Sequence, residues 1–325
     1  MDLETELDWR PLDRAAVPDW LRLLAAMEET DHEEEILGED DLLEEFDDPC
    51  VDFGRGSRAA YHEQTMVGYG VLTARTLADT VHNMRFRGGV HPAFRGQGLG
   101  SALLDWAEQT APSLHRERFA GLQLSLTGRC LVRDTTANRL YARRGYHPSR
   151  WYLAMTCDIS HGVTHVAEPS GVRIAGFTPG SAADALLVRN EAFHDHWDST
   201  ETTPDSWTHF LAYSAFRPAF SFVAYAGSEP VGVIISHEYE AYNEVAGVRD
   251  LYIPLVGTRR SWRGRGIAAA LLSAALTAAR ADGFGSSALS VDAGSPTGAV
   301  GLYERVGFTV KDTWVQLTKD LAVGS

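Results

Sequence analysis

Apolar residues along this chain follow two spacings, and the order in which those spacings alternate occurs twice. Trp20, Leu23, Leu24 and Met27 recur at helical intervals within residues 14–30, which predicts an amphipathic helix. Shorter apolar runs at 58–62, 67–73 and 80–90 predict strands, then a helix at 98–110 and a strand at 121–126. A short helix at 134–144 and a strand at 151–157 close the first half. The second half predicts helices at 182–194 and 205–213, then strands at 220–226, 230–238 and 249–256. A helix at 266–281, a strand at 287–291, a helix at 297–305 and a last strand complete it.

The repetition extends to the letters. VHPAFRGQGLGSALL, beginning at Val90, returns as TRRSWRGRGIAAALL from Thr258; RLYARRGYHP from Arg139 returns as GLYERVGFTV from Gly301. Two motifs returning in the same order imply that a whole domain is duplicated. Residues 160–171, SHGVTHVAEPSG, have neither spacing and contain Gly and Pro, so the boundary is expected there. The expected organisation is a domain at 1–160, a linker at 161–171 and a domain at 172–325. Each is read as a mixed α/β unit of the α+β kind, with helices around a mixed sheet.

Composition narrows the class. A chain of 325 residues, 44% hydrophobic and 22% charged, has material for two cores. The formal net charge is −15, but 13 acidic residues fall within residues 28–48, where there is no Lys or Arg, so the remainder is close to balanced. Non-specific nucleic-acid binding is not expected without a basic footprint. No apolar run is long enough for a bilayer helix, and the acidic N-terminal residues do not resemble a signal peptide. With three cysteines in no metal-site spacing, a reducing, cytoplasmic setting is expected.

Candidate chemistry lies in the repeated motif. Arg95, Gly96, Gln97, Gly98, Leu99 and Gly100 stand between a predicted strand and a predicted helix, as do Arg263, Gly264, Arg265, Gly266, Ile267 and Ala268. A helix N-terminus offers unpaired N–H groups and a positive dipole end, and glycine lets the backbone approach a phosphate. The plainer reading is a strand-to-helix turn with glycine for geometry. Recurrence of the hexapeptide, the preceding aromatic (Phe94, Trp262) and the following SALL or AALL favours a phosphate loop. A dinucleotide loop of the Rossmann type fits poorly, because the glycine spacing differs and no βαβ crossover opens the chain.

On these residues the sequence resembles the GNAT superfamily of N-acetyltransferases, whose [Q/R]-x-x-G-x-[G/A] pattern is matched at Arg95, Gly98, Gly100 and at Arg263, Gly266, Ala268. A second family pattern, A-x-x-L-Y-x-x-x-G-[F/Y], is matched by Ala137, Leu140, Tyr141, Gly145, Tyr146 and by Ala299, Leu302, Tyr303, Gly307, Phe308. The tandem arrangement, with NEAFHDHW opening the second half, is similar to two-domain members of the mycothiol synthase kind. The resemblance implies two tandem GNAT acyl-CoA N-acyltransferase folds and transfer of an acetyl group from acetyl-CoA to a primary amine of a small molecule. It implies that the pyrophosphate rests on the glycine loops and the pantetheine arm on backbone near Val90 and Thr258. It also implies Tyr141 and Tyr303 as general acids; otherwise each is an amphipathic core residue. A non-catalytic acyl-CoA sensor is the alternative function.

An amine is protonated at neutral pH, so a base is needed. Asp250, with Glu238 and Glu240, is the expectation in the second half; His82 and Glu63 are weaker choices in the first. All are equally readable as strand-end charges. Pro254 is expected to mark a splay or a distorted arm, Ser295-Pro296 precedes the last short helix, and Gly88-Gly89 is expected beside a bulge that lets a ligand approach. The acidic block reads either as a field attracting a polycationic amine or as a solvated helix. His194, His196, Trp197 and Trp207 suggest a mixed aromatic lid in the second half. His194-Asp195-His196 lacks a third ligand cluster, so no metal is expected.

Overall fold

Antiparallel hairpins and one helical crossover per half account for the sheets. The computed structural model describes residues 7–194, 200–295 and 298–322. The chain divides into two compact units, Met1–Arg150 with Trp314–Ser325, and Trp151–Thr313.

Unit 1 contains β1 (Asp8–Arg10), α1 (Val17–Asp31), α2 (Glu39–Glu45), α3 (Phe53–Gly56), β2 (Ser57–His62), β3 (Thr65–Ala74), β4 (Val81–Val90), α4 (Leu99–Phe119), β5 (Gln123–Leu131) and α5 (Thr135–Arg143). β1 to β4 pair antiparallel in sequence order, and α4 carries the chain across to β5, which lies parallel to β4. Alternation sorts the faces. Met84, Phe86, Leu124 and Leu126 are buried with Leu103, Leu104 and Ala107 of α4. On the other face, Trp20 and Leu23 of α1 are buried with Tyr69 and Val71 of β3. Removing a side chain such as Leu103 would cost about 2–5 kcal/mol.

After β6 (His147–Asp158), unit 2 repeats the scheme with β7 (Arg173–Gly176), α6 (Ala182–Phe193), α7 (Pro204–Ala212), β8 (Phe222–Ala226), β9 (Glu229–His237), α8 (Glu240–Ala246), β10 (Asp250–Thr258), α9 (Ile267–Ala281), β11 (Ser286–Asp292) and α10 (Ala299–Arg305). The last strand, β12 (Thr309–Leu321), belongs to unit 1 from Trp314 on. β10 and β11 are the parallel pair of unit 2, joined through α9. Residues 161–171 hold no helix or strand, yet Val163 and Val166 pack on the core and Val166 N donates to Ser273 Oγ of α9.

The structure departs from the contiguous division at 160 and 172 in one respect. β12 pairs antiparallel with β5 from Trp314↔Leu131 to Leu321↔Leu124, and β6 pairs antiparallel with β11 from Tyr152↔Asp292 to Asp158↔Ser286. Each half's closing strand therefore completes the sheet that the other half begins. Alternation fixes which face of a strand is buried and does not name the neighbour. α4 runs past the expected stop at 110, through Pro112, because Leu114 and His115 are buried beyond it. β5 extends through Gly128 because β12 pairs along it. No helix among the described residues is long and apolar enough to cross a membrane.

Two histidines are sealed inside unit 1. His82 of β4 and His115 of α4 are both fully buried, with Nδ1 atoms 3.0 Å apart. That contact holds one Nδ1 proton, and neither Nε2 has a partner among the described residues. Burial, then the neighbouring His115, pushes His82 down to about 4; burial also lowers His115. Unfolded histidine titrates near 6.5, so the stability conferred by neutral rings is complete above that pH and is lost as the pH falls toward 4. Unit 1 should lose up to about 1.4 kcal/mol per pH unit in this window through His82, with His115 adding in the same direction. Hydrogen exchange of β4 and α4 peptides, corrected for intrinsic pH dependence, measures the slope, which should shrink in His82→Gln.

Candidate functional site

The parallel pair at the centre of each unit opens into a fork. β4 and β5 are in register from Val81↔Gln123 to Arg85↔Thr127 and pair no further among the described residues, although they continue to Val90 and Leu131. β10 and β11 pair at Asp250↔Ser286, Leu251↔Ser287 and Tyr252↔Ala288 and then separate. The register of β10 against β9 shifts between Tyr252 and Leu255. Pro254, which has no N–H to give a ladder, lies inside that shift.

A glycine loop follows each fork. After turns at Pro92–Phe94 and Arg260–Trp262, Gly96 and Gly98 take φ of 74° and 93°, and Gly264 and Gly266 take 74° and 81°. These left-handed values are costly for residues with a Cβ. A Cβ on Gly96, Gly98 or Gly264 would meet nothing within 4 Å, so the space before these loops is open. Gly98 and Gly266 are the N-caps of α4 and α9. The first intrahelical bonds run from Ala102 N to Gly98 O and from Ala270 N to Gly266 O. The amides of Leu99, Gly100 and Ser101, and of Ile267, Ala268 and Ala269, therefore have no intrahelical acceptor and stand at the positive end of the dipole. Gly100 is small for another reason: a Cβ there already lies 3.1 Å from Leu140 of α5.

The loop arginines brace the frame. Arg95 donates from Nε to Val90 O at 3.0 Å and from both Nη atoms to Asp31, the last residue of α1, at 2.6 Å each. Those bonds raise its pKa. Arg263 Nη2 donates to Ala192 O of α6 at 2.8 Å. Gln97 Nε2 donates to Ala93 O, and Arg265 stacks on Trp262 with its guanidinium carbon 4.5 Å from the ring centre.

Each loop has a buried phenol near its fork. A Cβ on Gly128, one residue beyond the last β4–β5 pair, would lie 2.2 Å from Tyr141 Oη, so this hydroxyl occupies the space that glycine leaves over β5. Burial first, then Cys130 and Tyr69, raises Tyr141 well above an ordinary phenol. Tyr303 shares a buried cluster with Val291 of β11, and burial pushes its pKa up to about 12. Both hydroxyls are protonated at neutral pH.

Family models for the GNAT acetyltransferase family match residues 189–308 and for the GNAT acetyltransferase domain residues 57–148. The mycothiol acetyltransferase of Thermobispora bispora is 31% identical over 68% of this chain and 70% of its own length. That of Pseudarthrobacter chlorophenolicus is 28% identical over 92% and 90%. The chain belongs to the GNAT acetyltransferase family. It is an acyltransferase with two GNAT domains. The crystal structure of a GCN5-related N-acetyltransferase from Sphaerobacter thermophilus superposes with a TM-score of 0.80 at 28% identity, covering 98% of this chain and 97% of that one. GNAT enzymes generally use acetyl-CoA.

In this GNAT frame the expected bases part company. Asp250, only 5% exposed, begins β10 two residues before the fork; its Oδ1 accepts from Ser286 Oγ at 2.5 Å and its N–H donates to Asn243 Oδ1. Glu238 is buried between Arg217 and Arg249 and, despite a desolvation cost, its pKa is lowered by them, which marks an ion-pair centre. Glu240 is exposed and pairs with Arg217. His82 is sealed against His115, and Glu63 takes a positive φ at the β2–β3 turn. Asp195, His196, Trp197 and Pro296 lie outside the described residues, while Trp207 is buried and donates from Nε1 to Ala182 O.

Two further groups titrate outside their ordinary range. Glu33, in the segment after α1, has its carboxyl pushed up to about 7 by burial, with Glu35, Asp31, Asp134 and Glu28 adding to it. The adjacent backbone is braced at both strands, by Arg95 on Asp31 and by Arg133 donating to the Asp31 and His32 carbonyls. In unit 2, His237 lies opposite Tyr252, 1% exposed, among Phe210, Tyr213 and Tyr239, and burial pushes it down to about 4. The acidic block spends many charges at home, on Arg14, Arg87 and Arg95 and on the N–H groups of Glu33, Glu34, Gly38 and Cys50.

Gly88 and Gly89 correct an expectation. β3 and β4 stay in register through Val90, with no bulge. A Cβ on Gly88 would strike Phe86 and the Tyr69 carbonyl, and one on Gly89 would strike Met27, so protein groups fill that space. The same logic predicts that Gly128→Ala, which must displace Tyr141, destabilises unit 1 by about 1–3 kcal/mol in denaturant unfolding.

Proposed function

We propose that this chain transfers an acetyl group from acetyl-CoA to a primary amine of a small molecule. The observation that supports the reading most strongly is the pairing, in both units, of an open strand fork with bare helix-terminal amides behind left-handed glycines. Those amides, at Gly98 to Ser101 and Gly266 to Ala269, suit a diphosphate. The arm would lie along Val90 and Thr258. Thr258 Oγ1 is buried with no hydrogen-bond partner among the described residues, which fits a position completed by a bound molecule. When bound, acetyl-CoA supplies an acetyl group activated as a thioester.

The remaining work belongs to the side chains. Tyr303 holds a proton at Oη for the sulfur as the amide forms, and Asp250, fixed by Ser286, takes the proton that the ammonium carries at neutral pH. Unit 2 is the proposed principal transferase. In unit 1 Tyr141 is the counterpart acid and Glu33, not His82 or Glu63, is the proposed base, because a carboxyl titrating near 7 suits proton removal at that pH. The relatives' name puts a mycothiol-type acceptor first among the amines to test.

Calorimetry with CoA should give two equivalents bound; Gly98→Val and Gly266→Val should each remove one, with affinity there falling at least about 10-fold. Absence of any heat with CoA at millimolar concentration would overturn the reading. Thiol release from acetyl-CoA with a panel of amines should fall about 10- to 1000-fold in Tyr303→Phe, while unchanged turnover there and in Tyr141→Phe would remove the acid role. In the Tyr303→Phe background the residual rate should rise with pH through about 7 as Glu33 loses its proton. Glu33→Gln should abolish that limb in the pH profile.

A further inference from the structure

The acceptor-side floor of unit 1 carries three arginines at the point where its strands part. Arg85 stands in the last β4–β5 pair, Arg87 is two residues further along β4, and Arg129 is two residues beyond Thr127 on β5. Alternation puts them on the face opposite α4, since Met84, Phe86, Leu126 and Cys130 are buried on the α4 side.

The three differ in how their charge is met. Arg87 pairs with Glu45 of α2 and lies over the Trp20 ring. Arg129 lies over the Trp314 ring. Arg85 is exposed, and no hydrogen bond or ion pair reaches it among the described residues. Its cross-strand neighbours are Thr73 and Thr127, its neighbours along the strand Asn83 and Arg87. Asp320, the acid on this face of β12, accepts from Ser125. The pKa of Arg85 is lowered by desolvation from the protein packed around it, although its own surface is exposed, and then by Arg87 and Arg129, while Glu35 and Glu45 act the other way. An exposed arginine among arginines where two strands part is a standing demand for an anion, and its planar fork of donors matches a carboxylate or phosphate two bonds at a time.

We propose that unit 1 accepts an amine that also carries an oxyanion, as an amino acid or a phosphorylated amine does, with Arg85 as the anchor for that oxyanion. The inference rests on the acyltransfer reading for the word "amine"; the anchor stands or falls by direct binding. Arg85 touches the acceptor's anionic group and takes no part in proton transfer.

The test uses the full chain and matched probes. N-acetylated amino acids and their amides, and O-phosphoethanolamine beside ethanolamine, are titrated by ligand-observed NMR against wild type, Arg85→Gln and Arg85→Lys. At least one acid or phosphate should bind 10-fold or more tightly than its neutral partner. That preference should collapse toward unity in Arg85→Gln and recover in part in Arg85→Lys, with CoA stoichiometry showing that the variants are folded. In turnover, the same change should appear in KM for the anionic acceptor more than in kcat. Equal binding of charged and neutral partners, no binding of any probe at 10 mM, or a preference untouched by Arg85→Gln would overturn the proposal. Anionic binding lost in Arg85→Gln without turnover of any amine would uphold the anchor and sink the acyltransfer reading. The carboxylate and phosphate arms identify which oxyanion is used.

Discussion

Two parallel strands that stop pairing while both continue are the constraint on which the rest of this protein turns. Backbone groups left without a ladder partner must be met by water, side chains or ligand. In unit 1 the parting comes after Arg85↔Thr127, in unit 2 after Tyr252↔Ala288. Everything chemically distinctive gathers there: the glycine caps of α4 and α9, the buried phenols, and the polar faces on the opposite side. A fork without a loop would be a defect in a sheet. A glycine cap without a fork would be an anion site with nowhere for an attached arm to go.

The frame around each fork is rigid for reasons of charge and packing. Arg95 joins the end of β4 to the end of α1 by three hydrogen bonds, two of them to a carboxylate, and Arg263 reaches the end of α6 through a bond to the Ala192 carbonyl. Each loop is thereby tied to the end of a long helix of its own unit, α1 or α6, so loop and helix share one scaffold. Gly100 packing on Leu140, and Gly128 beneath Tyr141, hold the second short helix at a fixed depth. Small residues here set positions that larger ones would move.

How much of this could be read from the letters depends on whether a feature is local. The loops were legible because Arg95 to Gly100 and Arg263 to Ala268 state their conformation in their own glycines, twice. The short-helix tyrosines were legible from the same duplication. Partner choice was not: β12 alternates as suitably for β5 as for β11, and only the assembled edges decide. Nor could Glu33 be told from twelve other acids in its block, since its raised pKa comes from burial and from which neighbours remain ionised. The burial of His82 was hidden for the converse reason, because α4 continues past Pro112 far enough to bring His115 onto it. Gly88 and Gly89 looked like room for a ligand and are room for Phe86, Tyr69 and Met27.

Duplication then explains why one frame carries two different floors. The loops have kept the same left-handed glycines, with φ of 74° at both first positions and 93° against 81° at the second, as the demands of a helix N-terminus require. The strand faces opposite α4 and α9 have not kept their chemistry. Unit 1 sets arginines on its strands, one of them paired with Glu45 of α2, whereas unit 2 sets Tyr213, Tyr239 and Tyr252 around a neutral His237. A charged floor recognises charge and an aromatic one recognises flat or apolar surface. Two forks with the same loop can diverge in this way because the residues that hold the loop, Arg95 and Arg263, are not the residues on the opposite faces of the strands.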